Sequence, residues 1–301
     1  MADRIHTQTA PLETAHSQDG VQRRSVIRFD AGRASSAGQR AQDSVALEEP
    51  LELRLAFGEE GRRQEASVSI TMRTPGADAQ LALGFLFGEG MIQGADDVTS
   101  AAPCGPHVEG KSIHNVVRVE LAAHVNVDPE RLLRHFYTTS SCGVCGKASL
   151  DALRQQPQIA APDAKFVVSA AALRRLPVRL SKRQAAFAQT GGLHCAGLFD
   201  SMGELSGSFE DVGRHNALDK LVGASVLSGN LPWSSHGIML SGRASFELLQ
   251  KAMMAGAPLV AAIGAPSSLA IDLAEEFGIT LVGFLRDDGF NVYCHPQRVQ
   301  G

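Results

Sequence analysis

The sequence predicts an α/β fold, and three observations carry that prediction. From Leu193 onward, short apolar runs alternate with helical patterns closed by glycine, as in helices packed on a sheet. Between Leu51 and Leu121, apolar residues alternate singly with polar ones, as in half-buried strands. The composition, 44% hydrophobic and 20% charged over 301 residues, supplies a sizeable core without cross-links.

Residues 1–44 are rich in Ala, Ser, Gln, Arg and Asp and lack apolar periodicity. They are expected to form a mobile tail, with Ser25–Phe29 adding at most a short strand. A β-rich lobe is expected over 45–156. In it Leu51, Leu53, Leu55 and Phe57 mark one strand, Glu59–Arg62 a turn, and Ala66–Met72 the returning strand. Asp78 opens a helix ended by Gly88 and Gly90. Asp96–Gly110 reads as a loop, and Val117, Val119 and Leu121 share one face of a strand. Pro129–His135 and Lys147–Gln156 read as helices, and Pro157–Lys165 as a connector.

The second lobe, 157–301, is expected to be the α/β layer. Ser181-Lys182-Arg183-Gln184 fits a capping box, so a helix should start at Ser181. Leu193–Asp200 and Glu204–Asp211 form a hairpin around Met202-Gly203, followed by a long helix over Arg214–Leu227. Gly237–Leu240, Pro258–Ile263 and Ile279–Leu285 read as strands. Between them lie helices Ala244–Ala255 and Ser267–Phe277, stopped by Gly256 and Gly278.

Charge excludes one class of function. With 28 Lys+Arg against 32 Asp+Glu, the chain is not a polycation built to grip nucleic acid. Aromatics at 5% are too few for a base-stacking surface. No run approaches the ~20 apolar residues of a membrane span. Arg23-Arg24 echoes an export signal, but Arg28, Asp30 and Arg33 interrupt the apolar stretch that should follow, so the cytoplasm is expected. Five cysteines, an odd number, suit metal ligands or reactive thiols better than a disulfide framework.

Four segments can carry chemistry. In Ser141-Cys142-Gly143-Val144-Cys145-Gly146-Lys147, two cysteines precede a helical pattern, with glycine after each. A helix start and a nearby lysine favour the thiolate, so the pair suits a persulfide, a disulfide or half a zinc site. In Gly191–Gly197, His194 is a site candidate, while Cys195 sits in an apolar run as a buried cysteine would. Cys104 and Cys294 have no partner spacing.

In Phe209–Lys220 a strand ends and a helix begins among Asp211, Arg214 and His215. These either cap and pair at the helix start or line a polar cavity at the sheet edge. In Ser241–Ser245 and Ala265–Ser268, helix starts can hold a phosphate, with Arg243 as a clamp, or be capped by their own serines. Neither turn matches a standard nucleotide fingerprint.

Together these segments resemble the formate dehydrogenase accessory sulfurtransferase family, FdhD. The resemblance runs from about Ser25 to Arg298. It includes Glu48–Glu52, Met72–Gly76, Leu83–Gly90, the Cys142/Cys145 block, Glu210–Lys220, Ser241–Ser245 and Ala265–Arg286. It implies a cytidine-deaminase-like three-layer core, with helices on a mixed sheet and a smaller N-terminal β-rich lobe. It implies a sulfurtransferase that takes persulfide sulfur from a cysteine desulfurase. The sulfur passes to the molybdenum bis(molybdopterin guanine dinucleotide) cofactor before insertion into formate dehydrogenase.

By this resemblance Cys142 carries the persulfide and Cys145 assists. A cofactor-binding stretch maps onto Phe284, Leu285, Arg286, Asp287, Asp288 and Gly289. The acids there would repel pyrophosphate, so backbone amides and Arg286 are the expected donors. The molybdenum cofactor is a bound substrate, and no resident metal or permanent cofactor is expected. Neither nucleic acid nor membrane is an expected partner, and analogy suggests a homodimer. The alternative is a zinc-stabilised cofactor-binding chaperone without sulfur transfer. Deaminase chemistry is disfavoured, because no HxE motif occurs and Ser141 stands where a proline would.

Overall fold

The computed structural model describes residues 20–29, 38–59, 61–108, 113–127 and 165–301. Cys142 and Cys145, both helices expected over 129–156, and the lobe boundary lie outside the described residues.

The described residues begin with a hairpin where a tail was expected. Strands β1 (Val21–Arg28) and β2 (Gln39–Ala46) pair antiparallel from Val21↔Ala46 to Arg28↔Gln39. Much of both strands is exposed, including Arg23, Arg24 and Ser25. No apolar face is selected, so no period betrays the strands. The twin arginines thus lie in a β-strand.

Strands β3 (Glu49–Phe57) and β4 (Gln64–Arg73) follow as expected. Next come helix α1 (Asp78–Gly88), β5 (Val98–His107) and β6 (His114–Leu121). These strands form a four-stranded sheet in the order β4-β3-β6-β5. The segment expected to be a loop is β5. Its prolines are tolerated because β5 is an edge strand, and its side chains are mostly exposed. Asp78 does not cap α1; Ala77 holds that place in left-handed backbone. Asp78 instead accepts two hydrogen bonds from buried Arg73, at 2.9 and 2.8 Å.

After β7 (Val168–Ser169) comes α2 (Ala170–Ser181), capped by Ser169 and running through Pro177. The helix expected to begin at Ser181 therefore ends there, and Ser181 Oγ donates back to the Val178 carbonyl. Short α3 (Ala185–Thr190) leads to the hairpin of β8 (His194–Phe199) and β9 (Leu205–Asp211). Then α4 (Arg214–Ser228), β10 (Gly237–Leu240), α5 (Phe246–Met254), β11 (Leu259–Ala262), α6 (Ser268–Glu276) and β12 (Thr280–Gly283) alternate. Strands β13 (Asn291–Cys294) and β14 (Val299–Gln300) close the chain, and β14 pairs with β7.

The main sheet is mixed and six-stranded, in the order β13-β12-β11-β10-β8-β9, with β10, β11 and β12 parallel. Its parallel strands are buried on both faces, as a sheet covered on both sides requires. On one face Leu173, Leu176 and Leu180 of α2 meet Phe199, Met239 and Val282. On the other, Ile238, Val260 and Leu281 share a core with Leu218, Leu221, Leu248 and Leu273 from α4, α5 and α6. That second core continues through Leu83 and Leu86 of α1 to Leu51, Leu55 and Val119, so both sheets pack into one hydrophobic cluster. Among the described residues, no helix is long and apolar enough to cross a membrane.

Candidate functional site

Parallel strands β10, β11 and β12 end at one edge of the main sheet. The antiparallel pairing of β8 and β9 brings the start of β8 and the end of β9 to the same edge. The turns beyond the strands are joined by backbone hydrogen bonds. Gly264 N donates to Gly242 O at 2.8 Å, and Phe284 N to Gly264 O at 3.1 Å. A Cβ on Gly264 would lie 2.9 Å from Gly242 O and 3.0 Å from Arg243 Cα, so this approach needs glycine. Ser241 is no helix cap, because its hydroxyl accepts from Cys195 N at 2.7 Å. Ser267 does cap α6, accepting from Ala270 N.

At the β9–α4 junction the charged residues divide into two groups. Asp211 is fully buried and sits 2.6 Å from Lys220 Nζ, not paired with Arg214. Its carboxylate also accepts from Thr74 N, Gly213 N and Asn216 Nδ2. Lys220 donates to Thr74 O as well, at 2.8 Å. Glu210 turns the other way and accepts from Ala186 N and Phe187 N at the start of α3. The buried pair thus fixes the turn, and Arg214 and His215 are left at the mouth of the crevice.

His215 Nε2 lies 2.8 Å from Glu247 Oε2 and 3.4 Å from Ser245 Oγ, tying the start of α4 to the start of α5. The hydrogen bond from His215 holds the Glu247 carboxyl below its usual value. Arg214 Nε is buried and meets no partner among the described residues. The His194 ring packs against Gly242. Burial, then the charges of Arg214 and His215, hold its imidazole below the usual value. One edge therefore gathers His194, Arg214, His215, Arg243 and Ser245. Glu247 was not legible in advance, since only its place two residues after Ser245 points to it.

The depressed imidazole makes stability depend on pH. The unfolded His194 takes its proton first, so the native state loses stability as pH falls below about 6.5. Between pH 7 and 5, wild type should lose more stability in urea titrations than His194→Asn. Parallel curves would show that His194 titrates alike in both states.

Cys195 and Cys294 are poor nucleophiles. Burial pushes the Cys195 thiol far up. Burial, then Glu275, raises that of Cys294 to about 11. Among the described residues, no three His, Cys, Asp or Glu side chains gather to hold a metal ion.

In the stretch from Phe284 to Gly289, some of the expected donors hold the turn itself. Phe284 N, Leu285 N and Arg286 N donate to Gly264 O, Ala262 O and Gly289 O. Arg286 Nη1 donates to the Ile263 and Leu285 carbonyls. The turn uses these three amides and Arg286 Nη1 to hold its own shape, and Leu285 is buried in the core. What the stretch exposes is the Phe284 ring, Arg286, Asp287 and Asp288. Phe284 has φ 53°, a left-handed conformation that a bulky residue adopts only when its surroundings enforce it.

Comparison with known proteins places this architecture. The model of the FdhD/NarQ family matches residues 46–300. The chain is 49% identical over 281 residues to the "Sulfur carrier protein FdhD" of Streptomyces avermitilis, covering 93% of this chain and 95% of the relative. It is 46% identical over 261 residues to the protein of the same name from Mycobacterium tuberculosis, covering 85% and 92%. A crystal structure of a putative formate dehydrogenase accessory protein from Desulfotalea psychrophila superposes with a TM-score of 0.69 at 25% identity, covering 93% of this chain and 99% of that one. The mixed sheet, its helices and the sequence across nearly the whole chain agree: this chain belongs to the FdhD/NarQ family.

Proposed function

We propose that the chain is a cytoplasmic sulfur carrier in the maturation of formate dehydrogenase. The observation that carries this reading is its match, over 93% of its length, to a relative named a sulfur carrier. The chain holds the thiol pair such a carrier needs in Cys142 and Cys145.

The Cys142 thiolate attacks the outer sulfur of a persulfide on a cysteine desulfurase. The donor's S–S bond breaks, its cysteine leaves as thiolate, and a persulfide forms on Cys142 with no net oxidation. Attack by the Cys145 thiolate on the inner sulfur then releases hydrosulfide towards the molybdenum substrate. It leaves a Cys142–Cys145 disulfide, which a cellular dithiol reduces. The test is intact mass after incubation with desulfurase and cysteine. Wild type should gain about one sulfur atom and Cys142→Ala none. Equal gain by both proteins would remove Cys142 from this role, and stoichiometric zinc lost with Cys142 would favour the chaperone reading.

The crevice supports the substrate half of the reading. Arg243 and the orphaned Arg214 Nε supply donors for a pyrophosphate, and exposed Phe284 offers a stacking face for a purine. GDP, which mimics half of the guanine dinucleotide, should bind. Arg243→Ala should weaken it about tenfold to a hundredfold, the ~1.5–3 kcal/mol of a charge-assisted hydrogen bond. ADP should bind more weakly, because groups aligned to guanine are left unpaired by adenine. Calorimetry decides, and equal affinity for both nucleotides would reject a guanine-specific site.

A further inference from the structure

We propose that the outer face of α2 is a docking surface for an acidic amphipathic segment of a partner protein. Leu173, Leu176 and Leu180 turn one side of α2 into the core. At the complementary positions stand Arg174, Arg175, Val178, Arg179 and Lys182, along an open groove of about 660 Å³ that Asp287 also lines. From Arg174 to Lys182 the stripe covers about 12 Å of helix.

Three of these four cations differ from the fourth, Arg179, in what they already hold. Arg179 is committed to Glu204 and to the carbonyls of Met202 and Gly203. That commitment brings the β8–β9 turn beside the helix, with Met202 70% exposed. Arg174, Arg175 and Lys182 are exposed, and no described acid lies within ion-pair distance of them. In a chain whose formal net charge is -4, such a row is a local reversal of sign.

The pattern suits a helix-forming acidic segment better than a small anion. The cations are spread along the helix, not gathered at its N-terminus. Val178, 53% exposed, stands in their midst, and Met202 flanks them. Acids spaced by three and four residues meet Arg174, Arg175 and Lys182, while apolar residues between them cover Val178 and Met202. A free phosphate has no use for those apolar contacts, and Asp287 in the same groove opposes it. Most of the charge contribution lies in steering the partner and selecting it. The inference rests on this face alone and holds whether or not the thiol pair transfers sulfur.

The test uses the full chain and a fluorescent peptide of ~18 residues, about 27 Å of helix, with Glu and Leu at those spacings. A scrambled peptide of the same composition is the control. Anisotropy should show binding to wild type that weakens with salt. Arg174→Glu with Arg175→Glu should weaken it at least about tenfold, and Val178→Ser severalfold, with melting temperatures unchanged because all three side chains are exposed. Equal binding of the scrambled peptide, or an undiminished signal from the charge-reversed protein, would overturn the proposal. So would displacement of the peptide by millimolar pyrophosphate, which would make the groove a small-anion site. Binding to phosphatidylserine vesicles that charge reversal removes, without peptide binding, would assign the face to a membrane instead.

Discussion

Gly84→Ala should cost about 3 kcal/mol or more, the upper end of what overpacking does. The reason is a backbone-to-backbone crossing of α1 and α4. A Cβ on Gly84 would lie 1.8 Å from the Asp219 carbonyl oxygen. On the facing helix, a Cβ on Gly223 would lie 1.8 Å from the Gln80 carbonyl oxygen and 2.8 Å from Gly84 N. No rotamer change relieves a clash with main chain, so one helix must move. Neither moves alone, since both belong to the cluster that joins the two sheets. Total stabilities of domains lie near 5–15 kcal/mol, so the loss is a large fraction of the whole. Gly94→Ala is the control: an added methyl there meets nothing within 4 Å, and the backbone is extended. Urea titration of both variants checks the argument, and a loss below about 1 kcal/mol for Gly84→Ala would refute the close crossing.

That crossing also explains what the sequence could reveal. The alternation after Leu193 was legible because β10, β11 and β12 are buried on both faces and glycine follows each helix that separates them. The long helix expected over Arg214–Leu227 spans Arg214–Ser228, and the strand Gly237–Leu240 is found as expected. The β1–β2 hairpin was hidden because it buries little on either face. Strand β5 was hidden by Pro103, Gly105 and Pro106, which an edge position permits. The start of α2 was hidden because Pro177 lies within it.

At the site, His194, His215 and Arg243 could be proposed from the rule that ligands gather where parallel strands end. Whether Asp211 faced the crevice or the interior could not be read locally. Its partners include Thr74, 137 residues earlier in the chain. The stretch Phe284–Arg286 carried donors by composition, and the turn it forms uses its three amides and Arg286 Nη1.

Breaking the Asp211–Lys220 pair should match the glycine clash in size and also reach the crevice. Asp211 is fully buried and Lys220 is 2% exposed. Removing one partner strands the other's charge away from water, which costs about 3–5 kcal/mol. Asp211→Ala does more, because Thr74 N, Gly213 N and Asn216 Nδ2 lose their acceptor along with the ammonium. Those bonds shape the turn that presents Arg214 and His215. Asp211→Ala is therefore expected to weaken GDP binding even under conditions where the variant remains folded.

Lys220→Met leaves the turn's amides their acceptor, so it should lose stability with a smaller loss of binding. Replacing both residues, as Asp211→Leu with Lys220→Met, should recover part of the stability, since a buried pair exchanged for apolar side chains is often neutral or better. It should not recover the binding, because the amides remain without their carboxylate. Urea titrations and GDP calorimetry on the three variants separate these effects. If Asp211→Ala costs no more stability than exposed Arg243→Ala, or if the double replacement restores GDP binding, the buried pair does not hold the crevice in shape.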